Sequence, residues 1–422
     1  MKSVCILTTF FEAESGYSLI AVVETQLKML IEHGYNPSVV VRDDFRFGGE
    51  DSLWRQEIVD IMPILPAFNI TPGIPESFED DVQKLVVIFN QHLSKFDVII
   101  THDIILQTFY QRHNVALRRY CKQRPDQLFL HWIHSCPNPM DAENEYPQNC
   151  RYTPIPGYIV YPNDSDRERV AETYHMPLNQ VIANRASHSI DPLDVWAYSD
   201  LTKEIAKKSG LLKAEVAVVY PARLDKGKQP EKIIRLLAGV QEWGLDVSLL
   251  IVDWQSGGDS FQIYINRLVG LADELGIKDR LHFTSRLDDR ALQGVPRQTV
   301  MELMDLSTVY VHPSMIETYS LVVHEAMLRG KLIVLNDDLP MMHELFGEHG
   351  IYFKFGADRL KRTYDPDEQT YWNEHSQALA SAFLENSALR AQAYARRAWN
   401  PDVMWHNFKP LLELEICELL KQ

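Results

Sequence analysis

The stretch from Thr308 to Leu335, TVYVHPSMIETYSLVVHEAMLRGKLIVL, leaves this chain few folds to choose from. Thr308 to Val311 and Lys331 to Leu335 are short apolar, β-branched runs of the kind that form buried strands. Between them Leu321, Val322, Val323, Ala326, Met327 and Leu328 recur at helical spacing, and Gly330 stands where a helix would stop. A strand, a helix and a strand joined by a crossover of this length make the two strands parallel. Glu317 comes just before the helix, and Glu325 lies about one and a half turns inside it. Ser320 and Leu321 would present free backbone N–H groups at the positive end of that helix, which is an anion seat. Carboxylates that can grip hydroxyls on either side of a phosphate seat point to a ligand that is part sugar and part phosphate.

The same alternation runs through the chain. Val4–Thr9 reads as a buried strand, followed by a helix from about Leu19 to His33 and the strand Ser38–Val41. Phe45–Pro75 reads as irregular, rich in Gly and Pro. A helix near Phe78–Leu93 then leads to the strand Asp97–Thr101, which ends in His102 and Asp103. The strand Gln127–Leu130 runs straight into His131, Trp132, Ile133 and His134, and the proline-rich loop Cys136–Gly157 is a candidate acceptor-side lid. Asn184–Trp196 and the polar run Ser199–Lys213 read as a connection between domains. A second strand and helix series starts near Glu215.

The expected class is α/β, with two doubly wound Rossmann-like domains. The boundaries are 1–195, a linker over 196–214, a second domain over 215–398, and a tail helix over 399–422 too apolar to be left in solvent.

The 422 residues suffice for two cores, and the net charge of −16 argues against a general nucleic-acid or anionic-lipid binder. No run approaches the length of a membrane span, and no leader is read at the start. Five scattered cysteines without a CxxC fit a reducing compartment, so a cytoplasmic location is expected.

Arg223 and Lys228 lie in ARLDKGKQPE, past a buried strand and at the mouth of a helix. A guanidinium forks onto phosphate oxygens and an ammonium acts as a point charge, so the pair can balance a diphosphate. VVYPARLDKGKQP, followed by VYVHPSMIETYSLVVHEAMLRGKLIVL, resembles the retaining glycosyltransferases of family 4, with their GT-B fold and Glu-x7-Glu motif.

The resemblance implies two domains facing each other across a cleft and a nucleotide-diphosphate sugar as donor. It also implies a front-face reaction that needs no metal or other cofactor. Arg223 and Lys228 would hold the pyrophosphate with the amides of Ser320 and Leu321, Glu325 the ribose, and Glu317 the hydroxyls of the sugar. Lys226 is the rival of Lys228, which better fits the family spacing. GIKDRLHFTSRL, with Arg286 in it, resembles the segment at the nucleotide base, and LFLHWIH the strand that ends in an active-site histidine. His134 would be that histidine, with His131 as the alternative; the two are three apart after one strand, and the sequence does not choose between them. Gly16 belongs to the first phosphate loop, where Ser15-Gly16 stands in place of the usual glycine pair. Ser320 stands where many members have glycine, and Asp253 and Trp254 where they have a small Gly-rich turn.

The acceptor stays open: glycan, lipid, protein, small molecule or nucleic acid. The competing functions are a nucleotide-sugar 2-epimerase on the same fold and an inactive nucleotide-sugar-binding protein. Asp164-Ser165-Asp166 has the form of a metal-binding Asp-x-Asp but opens a helix, where such residues cap. His131, His134, Cys136 and Cys150 could in principle hold zinc, although the usual ligand spacing is incomplete. The basic helix with Arg112, Arg118, Arg119, Lys122 and Arg124 reads as a solvated face, or else as a surface for something acidic.

Overall fold

The computed structural model describes residues 2–13, 18–48, 53–55, 58–68, 74–106, 110–134, 146–184, 186, 191–254, 259–357 and 369–416. Contacts divide the chain into two compact units, Met1–Asp191 with Pro401–Gln422, and Pro192–Asn400.

The first unit is a seven-stranded sheet. Its strands are β1 (Val4–Leu7), β2 (Ser38–Arg42), β3 (Asp60–Leu65), β4 (Val98–His102), β5 (Leu128–Trp132), β6 (Tyr158–Tyr161) and β7 (Val181–Ala183). They lie in the order β3-β2-β1-β4-β5-β6-β7, and every neighbouring pair is parallel. Helices α1 (Ser18–Glu32), α2 (Phe78–His92), α3 (Gln111–Gln123) and α4 (Arg167–Tyr174) carry the crossovers. Because the strands are covered on both faces, β1, β4, β5 and β6 are buried at every position.

The second unit opens with α5 (Pro192–Val195) and α6 (Asp200–Lys208), followed by β8 (Val216–Pro221), α7 (Pro230–Glu242), β9 (Val247–Val252) and α8 (Asp259–Glu274). Next come β10 (Leu281–Phe283), α9 (Thr284–Leu287), α10 (Arg297–Leu306), β11 (Val309–His312), α11 (Leu321–Leu328) and β12 (Leu332–Asn336). It ends with α12 (Pro340–Phe346), β13 (Ile351–Phe353), α13 (Gln369–Glu385) and α14 (Ser387–Ala398). The sheet order is β10-β9-β8-β11-β12-β13, again all parallel. Gly330 takes φ +66 just after α11, as a helix-ending glycine should.

Several expectations change. Phe45–Pro75 is not wholly irregular, because Asp60–Leu65 pairs with β2 as an edge strand. Pro63 is tolerated there because one side of an edge strand needs no N–H donor. The stretch expected as a linker is built into the second unit. Tyr198, Ile205, Ala206, Leu211 and Leu212 share one apolar cluster with Ala217 and Val219 of β8. The tail forms α15 (Pro401–Leu412) within the first unit, where Phe408 is buried against Trp132 and Trp405 stacks on His33.

Helix α3 departs most. Two of its basic residues are not solvated: Arg118 is 6% exposed, and Arg112 pairs with the buried Asp81 at 3.0 Å, while Lys122 is exposed. Among the described residues, no helix is long and apolar enough to cross a membrane.

Candidate functional site

Strand β8 ends at Pro221, and the next loop is shaped by its own side chains. Asp225 accepts from the Gly227 N–H at 3.0 Å, closing the turn Lys226–Lys228. Gln229 has a left-handed backbone, and its buried amide donates to the Pro313 carbonyl at 2.7 Å and the Phe355 carbonyl at 3.2 Å. The Met315 N–H donates to the Gly227 carbonyl at 2.8 Å, and the Tyr220 hydroxyl donates to the Lys228 carbonyl at 2.7 Å. These bonds tie the loop after β8 to the loop after β11. The backbone of Lys228 is therefore held at a set distance from Glu317 although the two are 89 residues apart.

The Lys228 Nζ lies 3.5 Å from Glu317 Oε2, and His312 Nε2 lies 3.5 Å from the same oxygen. The other carboxylate oxygen accepts from the Thr318 N–H at 3.0 Å. Glu317 is held down to about 2 by the neighbouring His312 imidazole first, with the Thr318 amide and the Lys228 charge adding to it against its burial. It is a carboxylate at any physiological pH. Burial lowers His312, whose Nδ1 lies 3.2 Å from the Tyr310 hydroxyl. With the hydroxyl donating to Nδ1, the Nε2–H faces Glu317. His312 was missed in the sequence; the available signal was a histidine ending an apolar strand beside Pro313.

Ser320 starts α11 with φ 58 and ψ 77, and its hydroxyl is buried without a hydrogen-bond partner. The left-handed turn leaves the N–H groups of Ser320 and Leu321 at the open end of the helix, next to Glu317 and Lys228. A cavity of about 500 Å³ lies there, lined by Lys228, His312, Glu317, Thr318, Ser320 and Leu321, with Tyr220 and Tyr310 in its wall. This volume is within the range of small-molecule sites. Lys226 instead lines a separate cavity of about 710 Å³ beside α7 and α8, so of the two lysines Lys228 is the one beside Glu317.

Other candidates stand outside this cavity. Arg223 is exposed and pairs with Asp225 at 3.3 Å. The Glu325 carboxylate is taken by Arg297, from α10. Arg286 donates to Asn266 at 2.8 Å and Gln262 at 3.3 Å. Asp253, buried at the end of β9, accepts from the Thr284 hydroxyl at 2.9 Å and the Ser285 N–H at 3.1 Å, fixing the start of the helix that carries Arg286. Gly16 and Cys136 lie outside the described residues, as do residues 136–145 of the candidate lid.

The first unit separates its two histidines. His131 is fully buried within β5, with Nδ1 3.0 Å from the Thr101 hydroxyl and Nε2 3.0 Å from the Pro156 carbonyl. Burial pulls it down to about 4, and with both nitrogens engaged it is a core residue and a poor metal ligand. His134 lies two residues past the strand. Its N–H donates to Asp103 at 2.8 Å, and its Nε2 is 2.8 Å from His102 Nδ1, whose Nε2 is 3.0 Å from Gln26 Oε1. Asp164 and Asp166 pair with Arg167 and Arg169 at the start of α4, and the Asp166 side chain caps no helix N–H there.

Residues 202–364 match the family model Glycosyl transferases group 1. The match includes Arg223, Lys228, Glu317, Ser320 and Glu325, so the second unit is a domain of glycosyltransferase type. No curated protein matches the chain. Among solved structures, HepE from Anabaena in complex with UDP is 14% identical, covering 97% of this chain and 99% of that one, with a TM-score of 0.34. Sucrose-phosphate synthase from Thermosynechococcus elongatus is 15% identical, covering 98% of each chain, with a TM-score of 0.35. The catalytic domain of starch synthase IV from Arabidopsis thaliana, bound to ADP and acarbose, is 12% identical, covering 98% of this chain and 99% of that one, with a TM-score of 0.37.

Proposed function

We propose that the protein transfers a sugar from a nucleotide-diphosphate sugar to an acceptor hydroxyl with retention, by a front-face route that needs no metal. The observation that carries this reading is the meeting of Lys228, Glu317 and the open start of α11 in one cavity of the matched segment. Lys228 and the Ser320 and Leu321 amides bind the diphosphate, with Arg223 reaching it from the loop. Glu317, ionised throughout, accepts from hydroxyls of the sugar. Glu325 reaches the ribose on exchanging its Arg297 partner, and Arg286 serves the base side. By the resemblance, Gly16 and His134 are the first unit's candidates for the phosphate and for the reaction centre.

In the step itself the bond from the anomeric carbon to the diphosphate oxygen breaks. The acceptor oxygen bonds to that carbon on the same face, and its proton goes to the departing diphosphate. The chain's part is to position the donor and stabilise the charge that builds on the leaving group.

A thermal-shift panel of nucleotide-sugars tests the reading. The true donor at about 100 times its Kd adds ~2.7 kcal/mol of stability. Lys228→Ala, Arg223→Ala and Glu317→Ala each lower transfer about a hundredfold, on the order of 3 kcal/mol of transition-state stabilisation. Activity persists in EDTA. Near wild-type turnover by folded Lys228→Ala and Arg223→Ala variants would remove the site assignment.

A further inference from the structure

The buried arginine of α3 points to a second site. Among the described residues Arg118 has no carboxylate partner. Its Nε donates to the Asn114 side chain at 2.7 Å, and its Nη1 to the Thr153 and Pro154 carbonyls at 2.6 and 3.0 Å. Nη2 makes one long contact, 3.4 Å to the Arg151 carbonyl, which leaves a hydrogen of that nitrogen for another acceptor. A guanidinium buried among neutral groups keeps its positive field, since carbonyl dipoles solvate a charge without cancelling it. Burial lowers it only to about 10, so it stays charged at neutral pH.

That field faces a cavity of about 500 Å³, lined by Arg118, Arg119, Lys122 and His175 and by no described Asp or Glu. Arg119 is shared with Glu79 at 2.8 Å, while Lys122 is exposed. The chain carries a net charge of −16, so a pocket with three cations in its wall runs against the background. Val115, Pro154 and Pro177 supply apolar wall beside the charges. The site lies away from the strand ends that carry His134. The C-terminal half of α3 leads into the start of β5, and His175 and Pro177 come shortly before the start of β7. The pocket therefore belongs to the opposite edge of the sheet.

We propose that this cavity binds a small phosphorylated molecule, with Lys122, Arg119 and His175 on the phosphate and Arg118 as the fixed charge behind it. This proposal is independent of the reaction assigned to the second unit.

Cys150 gives the test, because its thiol lines the same cavity while Cys5 and Cys121 are buried. The full chain is alkylated with iodoacetamide at pH 8.5, and modification of Cys150 is followed by peptide mass spectrometry. Inorganic phosphate is the probe, with sodium chloride of equal ionic strength as the control. Phosphate at ten times its apparent Kd slows alkylation of Cys150 about tenfold, while chloride does not. In Lys122→Glu, and more weakly in Lys122→Gln, the protection is lost. Both substitutions fall on an exposed side chain, so the fold is retained. Equal rates in phosphate and chloride, or full protection persisting in Lys122→Glu, would overturn the site.

Discussion

The two units share one plan and use its strand ends differently. Each places its first strand centrally, with the next two strands on one side and the later ones on the other: β3-β2-β1-β4-β5 in the first and β10-β9-β8-β11-β12 in the second. In the first, the end of the central strands carries a relay of polar groups, Gln26, His102 and His134. In the second, the equivalent edge carries charge, with Lys228, Glu317 and the helix start of α11. A doubly wound sheet guarantees where a site lies. Its chemistry comes from the two or three residues after each strand, and those are free to differ.

The largest effects break this contrast at the second unit, where Lys228→Ala and Glu317→Ala are expected to cost about a hundredfold in turnover. His134→Ala should sharpen it. It is expected to lower kcat by about tenfold while leaving donor-induced thermal stabilisation unchanged, and equal loss of donor binding in this variant would erase the division of labour.

Acid separates the buried histidines from Glu317 next. Burial holds His113 and His131 down to about 4, below the ordinary value of 6.5. They contribute stability in full above pH 6.5 and lose it as the pH falls toward 4. Glu317 is held down to about 2, so its contribution is whole above its ordinary 4.5 and is lost only below that. Between pH 6.5 and 4.5 the first unit should weaken through His113 and His131, and the second through His312, which burial also lowers, while Glu317 keeps its charge. A His131→Asn variant should show a flatter dependence of Tm on pH. The smallest effect is Ser320→Gly. Relieving a left-handed serine whose hydroxyl has no partner should stabilise the protein by about 1 kcal/mol without lowering turnover. An unchanged or lower Tm would show that the serine has a partner in solution.

The alternation of strands and helices was legible in the sequence because buried parallel strands read as unbroken apolar runs. So were Lys228 and Glu317, which stand in short local motifs at the ends of such runs. Two of the edge strands were not. Ile351–Phe353 has three residues and Asp60–Leu65 contains a proline, so neither shows the length or pattern of a strand. Charge partnership was also hidden. Arg118 finds its carbonyl acceptors 33 to 36 residues away on a separate loop, and a helix read alone cannot show that this arginine is buried. The choice between His131 and His134 needed the pairing of β5 with β6, which puts one imidazole inside the sheet and leaves the other beyond it.

The return of α15 to the first unit has a consequence for synthesis. A ribosome delivers Met1–Asp191 first, but the helix that brings Phe408 against Trp132 emerges only after the whole of Pro192–Asn400. The second unit is one unbroken segment and can close as soon as it clears the exit tunnel. The first must wait with part of its apolar surface open, so it is the unit more exposed to misassembly during translation.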